Sequence, residues 1–206
     1  MRVNVMQAAT QLMTFQTFLR ETLYIVLDAA DWNTETQRFD SKCGGQTCAG
    51  NIGGREAGTV TTSIVAGNGA ADPVAFVGGG QDTLMQWDAG SIPASFTNCS
   101  VTRYSGTNRM RILNARGNPS GALDWVHGQW NAKAGLTYYD TTNSFADYTI
   151  AINTDWVVTC GTNVIRQNSK GNIVNGITTR LATGGNGNGA LGINHWSSEK
   201  SDWHLS

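Results

Sequence analysis

The residues best suited to chemistry lie in one segment, "DWVHGQWNAKAGLTYYD" (residues 124–140). An aromatic ring offers a flat apolar face on which a sugar ring can stack, and planar amide and imidazole groups can bond to sugar hydroxyls. Alternation along a strand places Trp125, His127 and Gln129 on one face. The pattern therefore predicts a carbohydrate-binding surface, whose candidate residues here are Trp125, His127, Gln129, Trp130, Asn131, Tyr138, Tyr139 and Asp140. The alternative is that the aromatic side chains form the core, since Trp is usually largely buried.

A second candidate binding element is the arginine-bearing stretch "SFTNCSVTRYSGTNRMRIL" (residues 95–113). Its alternation predicts a hairpin of two strands, at 95–104 and 109–113, joined by a turn. In the second strand Arg109 and Arg111 alternate with apolar side chains. Both arginines are therefore predicted to face solvent or a ligand groove.

The four cysteines form two pairs of different character. Cys43 and Cys48 stand in the glycine loop "KCGGQTCAG", where the spacing allows either a small disulfide loop or two free thiols. Cys99 and Cys160 lie in apolar strand contexts and are predicted to be buried small hydrophobic residues; in an extracellular protein they could instead pair with each other. Arg103 is predicted to share an inner face with Cys99, where a buried guanidinium needs a carboxylate partner.

The acidic residues favour binding over catalysis. Asp82, Asp140 and Asp147 lie near predicted loops and are weak calcium candidates, because carboxylates are the hard oxygen ligands that Ca²⁺ prefers. Glycoside hydrolysis needs two suitably spaced carboxylates, and the Asp residues of the predicted strands stand at strand ends. The sequence therefore predicts a protein that is not an enzyme.

The composition restricts the class of protein. The chain has 206 residues, of which 14% are charged, and its formal net charge is −1 at pH 7. A single domain is expected at this length. Without a basic excess, nucleic acid is not expected as a partner. The longest apolar run, "LYIVL" at 23–27, is too short for a membrane span.

The distribution of turns predicts an all-β fold. About a dozen short strands at turn-marked intervals indicate a two-sheet antiparallel jelly-roll sandwich over residues 23–206. The Asn-Gly pair at 175–176 predicts a hairpin. Residues 1–22 are predicted to form a short helical or extended lead-in. They are not predicted to be a cleavable signal peptide, because Gln and Thr interrupt the apolar residues.

From about residue 74 onward, the order of segments resembles the laminin G-like group of the concanavalin A-like lectin/glucanase superfamily. The resemblance rests on "FVGGGQDTLMQW", "SIPASFTNCSVTRY", "RMRIL", "DWVVTCGTN", "IVNGITT" and "SDWHLS". It covers about two-thirds of the chain and implies a β jelly roll. The glucanase pattern E-x-D-x-x-E is missing, which argues against hydrolysis. The chain also ends soon after its last "DW", so the resemblance implies a final strand that is short or missing.

Together these features predict a non-catalytic, lectin-like binding module that recognises carbohydrate or a glycosylated surface, outside the cell or on its surface. The second hypothesis is a structural or assembly subunit of a larger complex. Such a subunit would dock through residues 1–22 and through the sheet edge that a missing final strand leaves open. A glycoside hydrolase is disfavoured.

Overall fold

The chain is an all-β protein in which two antiparallel sheets pack as a sandwich. The computed structural model describes residues 29–39, 42–43, 46–47, 54–88, 90–117, 121–140, 150–151, 154–164, 173–175, 177–178, 185–187, 189–196 and 198–206. The expected lead-in at 1–22 and the strand expected to follow it lie outside these ranges, apart from Ala29. Across the described ranges no helix is long and apolar enough to cross a bilayer.

The strands are short, and they follow a single 3₁₀ turn (Ala29–Asp31) in the described part of the chain. In chain order they are β1 (Trp32–Asn33), β2 (Arg38–Phe39), β3 (Lys42–Cys43), β4 (Gln46–Thr47), β5 (Gly54–Ala57), β6 (Thr61–Val65), β7 (Val74–Gly79), β8 (Leu84–Gln86), β9 (Thr97–Tyr104), β10 (Leu113–Gly117), β11 (Gly121–Trp130), β12 (Lys133–Tyr139), β13 (Ile150–Ala151), β14 (Val157–Thr162), β15 (Ile173–Val174), β16 (Ile177–Thr178), β17 (Gly189–Ile193) and β18 (Trp203–Leu205).

These strands form two large sheets and one small hairpin. The nine-stranded sheet has the order β1-β2-β5-β8-β17-β10-β11-β12-β13, and the seven-stranded sheet has the order β16-β15-β14-β9-β18-β7-β6. Strands β3 and β4 pair with each other. Successive side chains of a strand point to opposite faces, so the central strands of the two large sheets have an inner side toward the other sheet and an outer side away from it.

The inner sides of the two sheets enclose one apolar core. Full burial of a Leu- or Phe-sized side chain contributes roughly 2 kcal/mol to folding. The core residues include Trp32, Phe39, Val77, Met85, Trp87, Ile92, Phe96, Tyr104, Ile112, Leu113, Trp125, Tyr139, Val157, Val174, Ile193, Trp203 and Leu205.

Two hairpins follow directly from turn chemistry. The Asn-Gly pair at 175–176 joins β15 to β16, as predicted. Strands β11 and β12 are joined by Asn131 and Ala132, whose φ angles of 51° and 58° are those of a two-residue type I′ turn. Because the turn takes only these two residues, β12 begins at Lys133.

The final strand is short but present, and it does not lie at an edge. Strand β18 pairs with β7 on one side and with β9 on the other. Trp203 and Leu205 point into the core and are buried. The open edge expected from a missing last strand is therefore not found between these strands. Among the described strands, the edges of this sheet are β16 and β6.

The predicted hairpin at 95–113 is wrong. Strand β9 belongs to the seven-stranded sheet, whereas β10 begins only at Leu113 and belongs to the nine-stranded sheet. Residues 105–112 cross from one sheet to the other. Hydrogen bonds hold this crossing: Ser105 N donates to Asp202 O (3.0 Å), and Tyr104 OH donates to Met110 O (2.6 Å).

The inner side of β9 is the opposite of the predicted one. Ser100, Thr102 and Tyr104 are buried toward the core, while Cys99 is exposed on the outer side. Cys99 is bonded to Cys160 in a disulfide, so neither is a buried free thiol. The two hydroxyl residues made the inner side look polar in the sequence, and this hid the direction of the strand.

Arg103 is buried on the outer side of the seven-stranded sheet, where burial lowers its pKa and the nearby carboxylate of Asp155 acts in the opposite direction. Its guanidinium lies 5.5 Å from the centre of the Trp156 ring. Arg103 Nε donates to His204 Nδ1 (3.0 Å) and Nη1 donates to Thr154 O (2.7 Å). Asp155 thus supplies a nearby negative charge, while the hydrogen bonds of the guanidinium go to neutral acceptors and the group lies over an aromatic ring.

Candidate functional site

Four of the predicted ligand-binding residues lie inside the sandwich. The side chains of Trp125, His127, Gln129 and Tyr139 are each 0% exposed. The prediction that the first three share a face holds, but that face is the inner one. A ligand at the protein surface cannot reach these four side chains, so they belong to the core.

His127 is a hydrogen-bonded core histidine that joins the two sheets. Its Nε2 lies 3.1 Å from the backbone oxygen of Thr159 on the other sheet, and its Nδ1 lies 2.9 Å from Tyr139 OH. Because a carbonyl oxygen only accepts, Nε2 carries the proton and Nδ1 accepts from the tyrosine. Burial lowers the pKa of His127 to about 4, while the bond to Thr159 acts in the opposite direction.

Gln129 makes a second polar link across the core. Its Oε1 accepts from Thr102 Oγ1 (2.6 Å), and its Nε2 donates to Thr102 O (3.1 Å). Gly128 lies against this link with φ +92°, and a Cβ added there would sit 3.4 Å from Thr102 Oγ1. The polar residues of this strand thus fix the contact between the sheets rather than a ligand.

The outer side of the nine-stranded sheet carries the remaining candidates, centred on Arg111. The guanidinium carbon of Arg111 lies 4.4 Å from the centre of the Trp196 ring and 5.8 Å from that of Trp130. Its Nη1 donates to Asp124 Oδ1 (2.5 Å), and its Nε donates to Glu199 Oε2. We call these five residues the Arg111 cluster. It has the aromatic faces and the planar charged groups that were expected of a sugar site.

The cluster is partly open to solvent. The Asp124 side chain is 43% exposed and that of Glu199 is 22% exposed, whereas Arg111 itself is 6% exposed. Half-buried Tyr138 lies nearby, and its pKa is raised by burial and by the carboxylates of Asp124 and Asp140. A ligand would therefore meet carboxylate oxygens and a tyrosine, with Arg111 behind them.

Two buried asparagines hold the segment that carries Trp196 and Glu199. With its amide oriented to satisfy both groups, Asn114 donates to Gly192 O (3.0 Å) and accepts from the backbone N–H groups of His195 and Trp196 (2.9 Å each). Asn194 has a φ of 59° and donates to Ser201 O (2.9 Å), while its Oδ1 accepts from Ser201 N (2.8 Å). Both ends of the segment are thus fixed to the sandwich.

Arg109 and Asn131 lie together next to the cluster, at the turn between β11 and β12. The backbone N–H of Ala132 donates to Arg109 O (2.7 Å), and Arg109 Nε donates to Gly106 O (3.1 Å). Arg109 is half-buried and Asn131 is exposed. The structure therefore brings Arg111 and Trp130 together, with Arg109 and Asn131 beside them, and separates these four from the interior residues.

The calcium candidates do not converge among the described residues. Asp82 lies in the turn between β7 and β8, while Asp140 closes the far end of β12, where its Oδ1 accepts from Asp124 N (3.1 Å) and its Oδ2 from Asn186 Nδ2 (3.0 Å). Asp147 lies outside the described ranges. Within those ranges, no group of three or more His, Cys, Asp or Glu side chains could hold a metal ion.

The described residues do not test the predicted disulfide between Cys43 and Cys48. Cys43 ends strand β3, and Cys48 lies outside the described residues. The expectation for this pair therefore stays a prediction.

Sequence reasoning missed Trp196 and Glu199 as site residues. Neither was named as a candidate, and Glu199 lies 88 residues from Arg111. Asp124 was noted only as a strand-end carboxylate. The sequence feature that could have indicated them is "HWSSEK", where a Trp and a Glu stand close together in a short loop between two strands.

The comparisons with known proteins identify no relative. No protein-family model matches the chain, and neither the curated proteins nor the solved structures include a match. The class that the fold defines is thus an all-β sandwich, and the resemblance to the laminin G-like group stays a prediction.

Proposed function

We propose that this chain is a non-catalytic carbohydrate-binding module whose ligand binds at the Arg111 cluster. The observation that carries the proposal is the position of the Arg111 guanidinium between the rings of Trp130 and Trp196, with two partly exposed carboxylates attached to it. The proposed binding surface therefore lies on the outer side of β11. The sequence had placed it on the other side of this strand, which is interior.

The chemistry of the cluster suits a sugar. The exposed oxygens of Asp124 and Glu199 can accept hydrogen bonds from sugar hydroxyls, and the tryptophan faces can pack against the C–H side of a ring. Arg111 holds both carboxylates in place through charge-assisted bonds. Because those bonds form in the free protein, the groups need little rearrangement when a ligand binds.

The disulfide supports an extracellular or cell-surface location. Disulfides persist in oxidising compartments and are rare in the cytosol. The bond between Cys99 and Cys160 joins two adjacent strands, and Cys99 is exposed. In an extracellular or cell-surface location, a lectin-like module would meet glycans or glycosylated surfaces.

Replacing Trp196 by leucine is expected to weaken glycan binding about five-fold or more, because stacking of a ring on an aromatic face contributes on the order of 1–3 kcal/mol in the comparable case of nucleobases. The purified wild-type chain is screened on a glycan array, first with calcium and then with a chelator. The dissociation constant of the strongest neutral glycan is then measured for wild type and variant by calorimetry.

Trp156→Leu is the matched control. Trp156 also lies beside an arginine guanidinium, at 5.5 Å, but on the outer side of the other sheet. We expect this variant to bind like wild type. A blank array from folded protein would overturn the proposal, as would equal loss in both tryptophan variants. Loss of binding in the chelator would add calcium as a cofactor.

A second candidate function is an assembly subunit that docks through the edge strand β6. Among the described strands it lies at the end of the seven-stranded sheet, and Ile64 is 69% exposed. Its residues Thr61–Val65 include no charge and no proline, the features that usually prevent an edge from pairing with another chain. A partner strand or a second copy could add to this edge.

Placing a charge on this edge separates the two functions. Ile64→Lys is expected to abolish any self-association that light scattering detects at high protein concentration, because a lysine on an edge strand opposes pairing. Glycan binding should be unchanged in the same variant. A wild-type chain that stays monomeric at all concentrations, and that no partner strand binds, would contradict the assembly function.

A further inference from the structure

The Cys99–Cys160 disulfide lies on an outer surface of the sandwich, away from the Arg111 cluster. The two residues are directly opposite each other on β9 and β14, with Cα atoms 4.1 Å apart. Cys99 is exposed and Cys160 is half-buried. The two cysteines are therefore unequally exposed to a reagent that approaches from solvent.

Among the described residues, the surface beside this disulfide carries apolar side chains on one side and the pair Thr97–Thr162 on the other. Val158 lies opposite Val101 in the adjacent outward pair, and Ile173 lies opposite Cys160 on β15. Val158 is 41% exposed and Ile173 is 40% exposed. Among the described residues they are two of the three large hydrophobic side chains that are exposed to this degree.

We propose that this outer-surface disulfide is a site of thiol–disulfide exchange, reduced by a dithiol while the sandwich stays folded. A thiolate of the reductant attacks Cys99 Sγ, the sulfur of the more exposed cysteine. The bond to Cys160 Sγ breaks, and Cys160 leaves as a thiolate that takes a proton. The second thiol of the reductant then attacks the mixed disulfide. Cys99 is released as a thiol and the reductant leaves as a disulfide, so that two electrons pass to the protein.

The fold does not depend on this bond for its register. Strands β9 and β14 pair over six positions, from Thr97–Thr162 to Thr102–Val157. Their inward side chains, including Thr102 and Val157, are buried in the core. The disulfide lies on the opposite side of the sheet, so its reduction removes no core contact. Exposed disulfides of this kind have higher reduction potentials and are the labile ones.

The site is tested in a full-length chain carrying Cys43→Ser and Cys48→Ser, so that Cys99 and Cys160 are the remaining cysteines. The chain is treated without denaturant at neutral pH, either with glutathione or with a small protein dithiol that has a Cys-x-x-Cys motif. Free thiols are then alkylated and mapped by mass spectrometry. Circular dichroism follows the fold in parallel.

We expect both cysteines to become alkylated while the β-sheet signal and a cooperative thermal transition remain. In the glutathione arm, the adduct on Cys99 should exceed that on Cys160 by about five-fold or more, since attack follows access. Reduction by the protein dithiol alone identifies a protein partner docking on the apolar surface, and reduction in both arms identifies a general thiol site. Protection in both arms until urea unfolds the chain would overturn the proposal, and so would an adduct mainly on Cys160.

Discussion

Arg111→Met is expected to lower the free energy of unfolding by about 2 kcal/mol and to abolish glycan binding. Breaking a buried ion pair by removing one partner costs about 3–5 kcal/mol. The loss here is smaller because Asp124 and Glu199 are 43% and 22% exposed and regain contact with water. Methionine keeps the apolar contact with the two tryptophan rings, so the change reports mainly on the charge. Urea denaturation followed by tryptophan fluorescence gives the free energy.

Two further variants show where this loss comes from. Lys133→Met removes a charge from an exposed position at the start of β12 and is expected to change stability by no more than about 0.5 kcal/mol. Arg111→Met combined with Glu199→Gln should be more stable than Arg111→Met alone, because one uncompensated carboxylate is removed. A loss below about 0.5 kcal/mol for Arg111→Met would mean that the ion pairs do not hold the cluster.

The protein is expected to lose about 3 kcal/mol of stability between pH 7 and pH 4 through His127 alone. The folded pKa of about 4 lies below the value of about 6.5 for an exposed histidine. The unfolded chain therefore binds a proton that the folded chain excludes, and stability falls as the pH falls through this interval. His204, whose pKa is also lowered to about 4 by burial and by Arg103, acts in the same direction.

His127→Gln isolates this contribution. The glutamine amide can donate to Thr159 O and accept from Tyr139 OH, but it does not titrate. Urea midpoints are measured from pH 7 to pH 4 for both proteins. We expect the variant to retain a smaller pH dependence, to which His204 contributes. An identical slope in the two proteins would show that His127 takes up its proton in the folded chain at the same pH as in the unfolded chain, and would contradict the prediction.

Much of the fold could be predicted from local patterns. Alternation located β9, predicted at 95–104, to within two residues, and the Asn-Gly pair located the β15–β16 hairpin. Each of these signals depends on neighbouring residues. The all-β sandwich was predicted correctly for the same reason.

The crossing at 105–112 could not be predicted from alternation. "RMRIL" alternates as a strand does, yet its backbone follows contacts that are distant in sequence. Asp202 fixes the turn at its start, where its Oδ2 accepts from Asn108 N (2.9 Å), and Glu199 bonds Arg111 at its end. Such partners, about 90 residues away, leave no mark on a local pattern.

Part of the candidate site could be predicted from the sequence. The segment 124–140 does contribute Asp124 and Trp130 to the Arg111 cluster, and the shared face of Trp125 and His127 was correct. The predicted direction of that face was wrong. In a sequence, a polar side chain that is buried and hydrogen-bonded cannot be told from one that binds a ligand until its partners are known. Here the partner of His127 is a backbone carbonyl on the opposite sheet, at Thr159.

The most direct test of the proposed binding surface is a titration followed on the tryptophan indole N–H signals. The chain has seven tryptophans, of which Trp130 and Trp196 flank Arg111, Trp156 lies on the opposite outer side and Trp125 is buried. Labelled protein is titrated with neutral cello-, xylo-, manno-, galacto- and chito-oligosaccharides at millimolar concentration. We expect at least one of them to shift the signals of Trp130 and Trp196 and to leave those of Trp125 and Trp156 in place. Unchanged signals with every sugar, or shifts confined to Trp156, would contradict carbohydrate binding at the Arg111 cluster.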